Sequence, residues 1–342
     1  MSTNRVVRLA LHSFSLEQHF LHKPGFDAFA FLAQADAWGM AGVHLSMNGY
    51  NFRCAGGTDP GRLTAIAGDA AARGMFVETD TSGTDPEHLA IMARAARQIG
   101  ADRLRTYTRH KGEPDAVAAA TVADLKAAAP RIADEGVVLL LENHEDFTGA
   151  EVTRILEAVD HPAVAALYDF GNSMNVVEEP MAAARAMLGH VRSVHLKDHV
   201  VVEHEGAPLV VGVPNGAGHV EIPAILALLI DEGGLERVCV ESCYGYTAPL
   251  TRNAEGLAAA ACSRTFAPLQ GPFDPAVVLL DADALRRADP DALFNLEQAA
   301  VARGIAHVRQ VLRDQGFSPV LNGRGGVYRR GAAELAFAAR HF

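Results

Sequence analysis

A (β/α)8 TIM barrel carrying a C-terminal extension is the α/β fold that this sequence predicts. Three observations lead there. Short apolar runs suited to buried strands recur as VVRLALHSF (6–14), GVHLSM (42–47), MFVETD (75–80), RLRTYT (103–108), VVLLLENH (137–144), VAALYDF (164–170), VRSVHLKD (191–198) and RVCVESC (237–243). Ala-rich amphipathic stretches fall between them, at about 26–39, 61–73, 85–99, 115–135, 149–159, 180–188 and 221–232. The first run continues into HSFSLEQHF without a glycine, where a doubly wound sheet often places a phosphate-binding loop. Strand–helix alternation implies right-handed βαβ units and a parallel sheet. This many units suit closure into a barrel better than an open sheet of about five to seven strands.

The punctuation of the chain agrees with this division. Helices open on capping residues, as at Asp85-Pro86 and Thr148, and several stop at glycine, as at Gly74, Gly100 and Gly136. The run Val137 to Leu141 is aliphatic throughout and predicts a strand buried on both faces. The stretch 199–216 reads as a long loop. After Cys243 the pattern loosens into a Pro- and Ala-punctuated segment at 245–290, and 291–314 reads as the closing helix. The expected organisation is a barrel over 1–315, including the irregular 245–290 insertion, and a tail at 316–342 with NGRGGVYRRG and a short helix.

Composition narrows the function classes. The chain has 342 residues and a formal net charge of −11, which argues against a non-specific nucleic-acid binder, since that role needs a basic face. No window approaches the roughly 18 apolar residues of a membrane span, and MSTNRVVRLALHS lacks a secretory pattern. Four cysteines (Cys54, Cys239, Cys243, Cys262) are too few for a disulfide scaffold, so a reducing cytoplasm is the expected location. A homo-oligomer is compatible with these features.

In a parallel barrel, chemistry collects where strands end. The polar residues at those ends are Glu142, Asp169, His195 and Glu241, from the fifth to eighth barrel strands, expected at matching depth. Three carboxylates meeting in a water-poor mouth repel one another and would protonate. A divalent cation removes that cost, and three oxygens with one nitrogen suit Mn2+, Mg2+, Co2+ or Zn2+. Taken singly, each has a plainer reading, such as an Asx-turn at Asp169 before Phe-Gly-Asn.

The ordered set ENH, DFGN, HLKD and VES, together with GAGHVEIPAIL (216–226), resembles the xylose isomerase-like barrel superfamily across about residues 6–315. That group, often labelled sugar phosphate isomerases/epimerases, includes ketose 3-epimerases and the inosose dehydratase of inositol catabolism. The resemblance implies that Glu142, Asp169, His195 and Glu241 hold one divalent metal, commonly Mn2+. It also implies that Glu142 and Glu241 move protons on opposite faces of a carbon beside a carbonyl, by way of a cis-enediolate. The substrate would be a sugar, cyclitol or keto-sugar. Ketose 3-epimerases usually place a histidine three residues after the metal aspartate, whereas this chain has Asn172. With Lys197-Asp198 after the metal histidine, this looks closer to the inosose-dehydratase branch. Dehydration, or elimination from 3-keto-glycosides, is therefore the second reading. The abasic-site endonuclease branch fits poorly, for want of a histidine at 172 and of basic charge. A sugar-binding relic of the fold would have no reason to keep mutually repelling carboxylates.

Residues two apart along a strand share a face, which suggests neighbours. His144 would follow Glu142 inward, to bind a hydroxyl or act as acid or base. Lys197 would hold an anionic or keto oxygen or lie solvated at the rim. Arg105 would face the fifth-strand ligands or pair with Glu78. Asn172, His12 and His44 are further pocket candidates. Cys239 and Cys243 read as small core thiols. Asn143 is expected to point away, with Glu145 and Asp146 in a solvated loop. Substrate choice would rest on the loops 48–60, 199–215 and 246–290.

Overall fold

The computed structural model describes residues 6–48, 54–252 and 256–320. The predicted tail motif NGRGGVYRRG lies outside the described residues. In chain order the first half contains β1 (Val6–His12), α1 (Glu17–His22), α2 (Ala28–Ala37), β2 (Gly42–Ser46), α3 (Pro60–Ala72), β3 (Phe76–Asp80), α4 (Pro86–Gln98), β4 (Ala101–Thr106), α5 (Pro114–Asp134) and β5 (Val138–Glu142). The second half contains α6 (Gly149–Val159), β6 (Val164–Asp169), α7 (Pro180–Met187), β7 (Val191–Leu196), β8 (His199–His204), β9 (Ala207–Gly212), α8 (Ile222–Asp231) and β10 (Arg237–Val240). Then come β11 (Thr247–Pro249), α9 (Leu257–Ala260), α10 (Ala282–Ala288), α11 (Pro290–Asp314) and β12 (Ser318–Val320).

Strands β1 to β7 pair in sequence order, and β10 pairs in parallel with both β7 and β1. That last pairing closes the barrel. β12 adds to β1 in parallel, matching Val6 with Ser318. The main core lies between strands and helices, where Leu9, Leu11, Val43, Leu139, Leu141 and Val194 meet Phe31, Leu89, Leu125 and Ile155.

The expected caps are in place. Asp85 accepts from His88 N at 2.8 Å, with Pro86 at the first helical position. Thr148 and Glu151 form a reciprocal capping box, an arrangement whose loss costs about 1 kcal/mol. Gly136 has φ +69° just past α5, a turn that a side chain would strain.

One expected loop is ordered. Residues 199–212 form the hairpin β8–β9, turning on Glu205 (φ 51°) and Gly206 (φ 81°). Two successive positive φ values define a type I′ turn, whose twist matches antiparallel strands. Alternation in HVVVEH-EG-APLVVG carries that signal, with Val200, Val202, Val211 and Val213 packed in a small separate core. β11 joins the hairpin antiparallel, and Gly212 N donates to Tyr246 O at 2.9 Å. The hairpin thereby holds the segment after Cys243 beside the barrel mouth. Among the described residues, no helix is long and apolar enough to cross a membrane.

Candidate metal and substrate site

The four strand-end residues converge. His195 Nδ1 lies 3.1 Å from Glu142 Oε1, 3.1 Å from Glu241 Oε2 and 4.0 Å from Asp169 Oδ2, and all four residues are buried. They are not level along the ladder. Glu142 sits opposite Leu167, two residues short of Asp169, and His195 sits opposite Cys239, two short of Glu241. Tilted barrel strands impose that stagger, and side-chain length restores the meeting point.

Asp169 does two things at once. Its Oδ1 makes the Asx-turn, accepting from Gly171 N at 2.9 Å and Asn172 N at 3.0 Å. Its Oδ2 turns inward and lies 2.9 Å from Lys197 Nζ. Asn143, expected to point away, does not line the cavity and ties the strand ends together. Its Nδ2 donates to Asp169 O at 3.0 Å, and its Oδ1 accepts from Asp169 N at 2.7 Å.

Lys197 is not a rim lysine. It is 7% exposed, with Glu241 Oε2 at 3.6 Å and Asn172 Oδ1 at 3.4 Å. Arg105 faces inward and pairs with Glu142, Nη2 to Oε2 2.5 Å. The alternative partner Glu78 lies deeper and is taken by Arg103 at 3.0 Å, Arg237 at 3.2 Å and Ser193 Oγ at 2.6 Å. Arg105 also lies over the Tyr107 ring, 4.7 Å from its centroid, and Tyr107 stacks on His144 at 3.8 Å. Cys239 and Cys243 are free and buried, as core thiols are.

The charge balance is divided: against the cost of burial, Arg105 and His195 hold Glu142 below the usual carboxylate range, and His12, Lys197 and His195 do the same for Glu241. Burial pushes the Asp169 carboxyl up to about 6 against the pull of Lys197, with Glu142 and Glu241 adding to the rise. Burial would lower His195, yet Glu241 and Glu142 lift it to about 9. Protons thus supply part of the positive charge that three carboxylates require. Asp169 Oδ2 and Glu241 Oε2 are buried without a well-directed hydrogen bond. A set of hard oxygens and one imidazole with two open lone-pair sites fits a divalent cation, whose binding would displace those protons. Glu142, Asp169 and His195 each bring a donor atom within 4.8 Å of the others, and so do His12, His44 and His195.

Above this set opens a cavity of about 500 Å³, in the range of small-molecule sites. His12, Arg105, His144, Asn172, Lys197 and Glu241 line it, joined by residues that strand-end reasoning passed over: Asp80, Tyr107 and Tyr246. Asp80 ends β3 as Glu142 ends β5, so the same rule would have found it. Tyr246 had no such signal, because the β11–β9 pairing places it. Glu145, expected to be solvated, lines the cavity and accepts from the Tyr246 hydroxyl. The Asp146 carboxylate stays at the edge, 4.0 Å from Lys111, while its carbonyl accepts from Arg252 at 2.8 Å.

A closed parallel barrel with an acid-and-imidazole cluster at its C-terminal mouth defines a class of barrel proteins that gather their polar groups at the strand ends. Within it, this chain belongs to the xylose isomerase-like TIM barrel family, whose model matches residues 79–263. It is 26% identical over 201 residues to the uncharacterized protein YihM of Escherichia coli (strain K12), covering 58% of this chain and 62% of that one. It is also 26% identical over 150 residues to 3-oxo-isoapionate decarboxylase of Pectobacterium atrosepticum, covering 43% of this chain and 53% of that one. The chain thus spans less than two thirds of each relative. The fold resembles a D-psicose 3-epimerase from Clostridium cellulolyticum H10 solved with D-tagatose, with TM-score 0.59, 12% identity, and coverage of 90% of this chain and 99% of that one. It also resembles a xylose isomerase-like barrel from Mycobacterium smegmatis solved with magnesium, with TM-score 0.54, 18% identity, and coverage of 77% and 98%. At these identities the likeness is one of fold.

Proposed function

We propose that the protein is a divalent-metal-dependent isomerase or epimerase of keto-sugars, with Mn2+ or Mg2+ held by Glu142, Asp169, His195 and Glu241. The observation that carries this is the convergence of these four buried side chains beneath a polar cavity. The magnesium-bound and tagatose-bound structural neighbours support the same class. A bound cation would polarise neighbouring carbonyl and hydroxyl oxygens and lower the cost of enediolate charge. Glu241 is the proton carrier, its Oε2 facing the site beside His195 Nδ1 and Lys197 Nζ. Glu142 serves the opposite face. Lys197 and Asn172 hold a substrate oxygen, His144 and Tyr107 pack against the sugar, and Arg105 and His12 complete the wall.

A second reading follows from the Arg105–Glu142 pair. Epimerisation needs a base on each face, and Arg105 engages Glu142 Oε2. A lyase or decarboxylase that returns one proton to an enolate needs only Glu241. The decarboxylase among the relatives favours this second reading.

Incubation of the Mn2+-loaded protein in deuterated water with a panel of keto-sugars, inososes and keto-acids separates the two. Deuterium entering a recovered or epimerised substrate supports the first reading. Loss of CO2 or water, with one deuterium in the product, supports the second. No turnover and no exchange across the panel removes both.

A further inference from the structure

His12, His44 and Asp80, from β1, β2 and β3, stand outside the four-residue set but touch it. His195 Nε2 lies 3.2 Å from His44 Nδ1. His44 Nε2 lies 3.4 Å from Asp80 Oδ2. His12 Nε2 lies 3.0 Å from the same oxygen, and Ser46 Oγ donates to Asp80 Oδ1 at 2.7 Å. All these side chains are buried.

The proton positions follow from donors whose identity is not in question. The main-chain N–H of Phe14 donates to His12 Nδ1 at 3.0 Å, so a neutral His12 carries its proton on Nε2 and gives it to Asp80. Glu78 Oε2, at 3.9 Å, is beyond hydrogen-bond reach of His44 Nδ1. His44 Nδ1 therefore pairs with His195 Nε2, and the proton between them is taken to sit on His195 Nε2. His44 then carries its own proton on Nε2, which has Asp80 Oδ2 at 3.4 Å without a well-directed hydrogen bond.

We infer that Asp80, through His44, is a positioning residue. It orients the His195 ring and keeps its Nε2 protonated, so that Nδ1 is the nitrogen turned toward Glu142, Asp169 and Glu241 and the one that takes a cation when its proton is displaced. A hydrogen-bonded partner on the far nitrogen sets tautomer and ring angle, and it makes the ligating nitrogen more basic. The same chain disfavours a second cation among the three imidazoles. Such an ion would need the His12 Nε2 lone pair, and the Phe14 contact leaves a proton there.

This inference rests on the cation reading of the four-residue set, and two measurements keep the two apart. In wild-type protein, 15N–1H correlation spectra of the imidazoles, taken without metal, should show His12 and His44 protonated on Nε2. A proton on His44 Nδ1 overturns the relay whatever the metal does. Titration of the metal-free protein with Mn2+ should give one ion per chain. Asp80→Asn and His44→Leu should weaken its affinity by about 10- to 100-fold, and His44→Asn, which keeps an acceptor near Nδ1, should weaken it less. Affinities within twofold of wild type in folded variants, or two ions per chain, overturn the inference. No Mn2+ binding by wild type removes the site reading, and the tautomers still decide the relay.

Discussion

Arg105 Nη2 lies 2.5 Å from Glu142 Oε2, and both side chains are buried. The pair joins the ends of β4 and β5, where ladder partners Thr106 and Leu141 flank it. Removing one member leaves the other charge in a poorly hydrated site, which costs about 3–5 kcal/mol. Arg105→Leu should lower unfolding stability in urea by that order, and loading with Mg2+ should recover part of the loss. An unchanged midpoint would mean that Glu142 is neutral or otherwise compensated.

In the proposed reading Glu241 is both a cation ligand and a proton carrier. Glu241→Gln should keep the fold, read by circular dichroism, and lower turnover by about 10²-fold or more, the scale of a lost acid–base group. Chelation should lower the melting temperature of wild type and change that of the variant less. Equal shifts in both proteins would remove Glu241 from the cation set.

Glu17, at the start of α1 and outside that set, gives a pH dependence that Glu241 also influences. Burial, followed by the charges of Glu297 and Glu241, raises its carboxyl from 4.5 to about 8. A raised folded-state value means that the folded form binds the proton more tightly. Its stabilising contribution is therefore present below about 4.5 and lost as pH rises through about 8. Glu17→Gln should flatten this part of the stability–pH curve and stabilise the protein at pH 8 by at least about 1.4 kcal/mol, the worth of one pKa unit. Parallel curves for variant and wild type would contradict it.

Gly218 explains a glycine of the GAGHVEIPAIL stretch. A Cβ there would meet Asp198 Oδ1 at 2.2 Å and His199 O at 2.7 Å. Asp198 binds Gly216 N at 2.9 Å, Gly218 N at 2.8 Å and Val220 N at 3.1 Å, which shapes the turn into α8. Gly218→Ala should destabilise by about 1–3 kcal/mol, the cost of forced overpacking. Gly234→Ala should act through backbone conformation alone, because no atom lies within 4 Å of its added Cβ. Equal chevron shifts for the two would show that the contact carries no cost of its own.

The barrel strands were legible because each is a short apolar run between helix-forming stretches, and its last inward residue is polar. That rule found Glu142, Asp169, His195 and Glu241, and applied evenly it also finds Asp80. The hairpin at 199–212 was missed although its Glu205-Gly206 turn and alternating valines are local signals. Glu145 was misread for a different reason. Its sequence neighbours are polar, and the residue that covers it, Tyr246, lies far along the chain.

By itself, then, the sequence determined which side chains face inward and where each strand leaves the core, because both follow from a two-residue period and a local change in polarity. Only the tertiary structure decided which strand ends meet. Closure of β10 on β1 sets His12 Nδ1 3.6 Å from Glu241 Oε1, and the barrel stagger puts Arg105 on Glu142 instead of Glu78. The β8–β9–β11 sheet brings Tyr246 over the cavity. Pairing, closure and tilt are long-range choices, made by burial of the whole core, and no window of the sequence contains them.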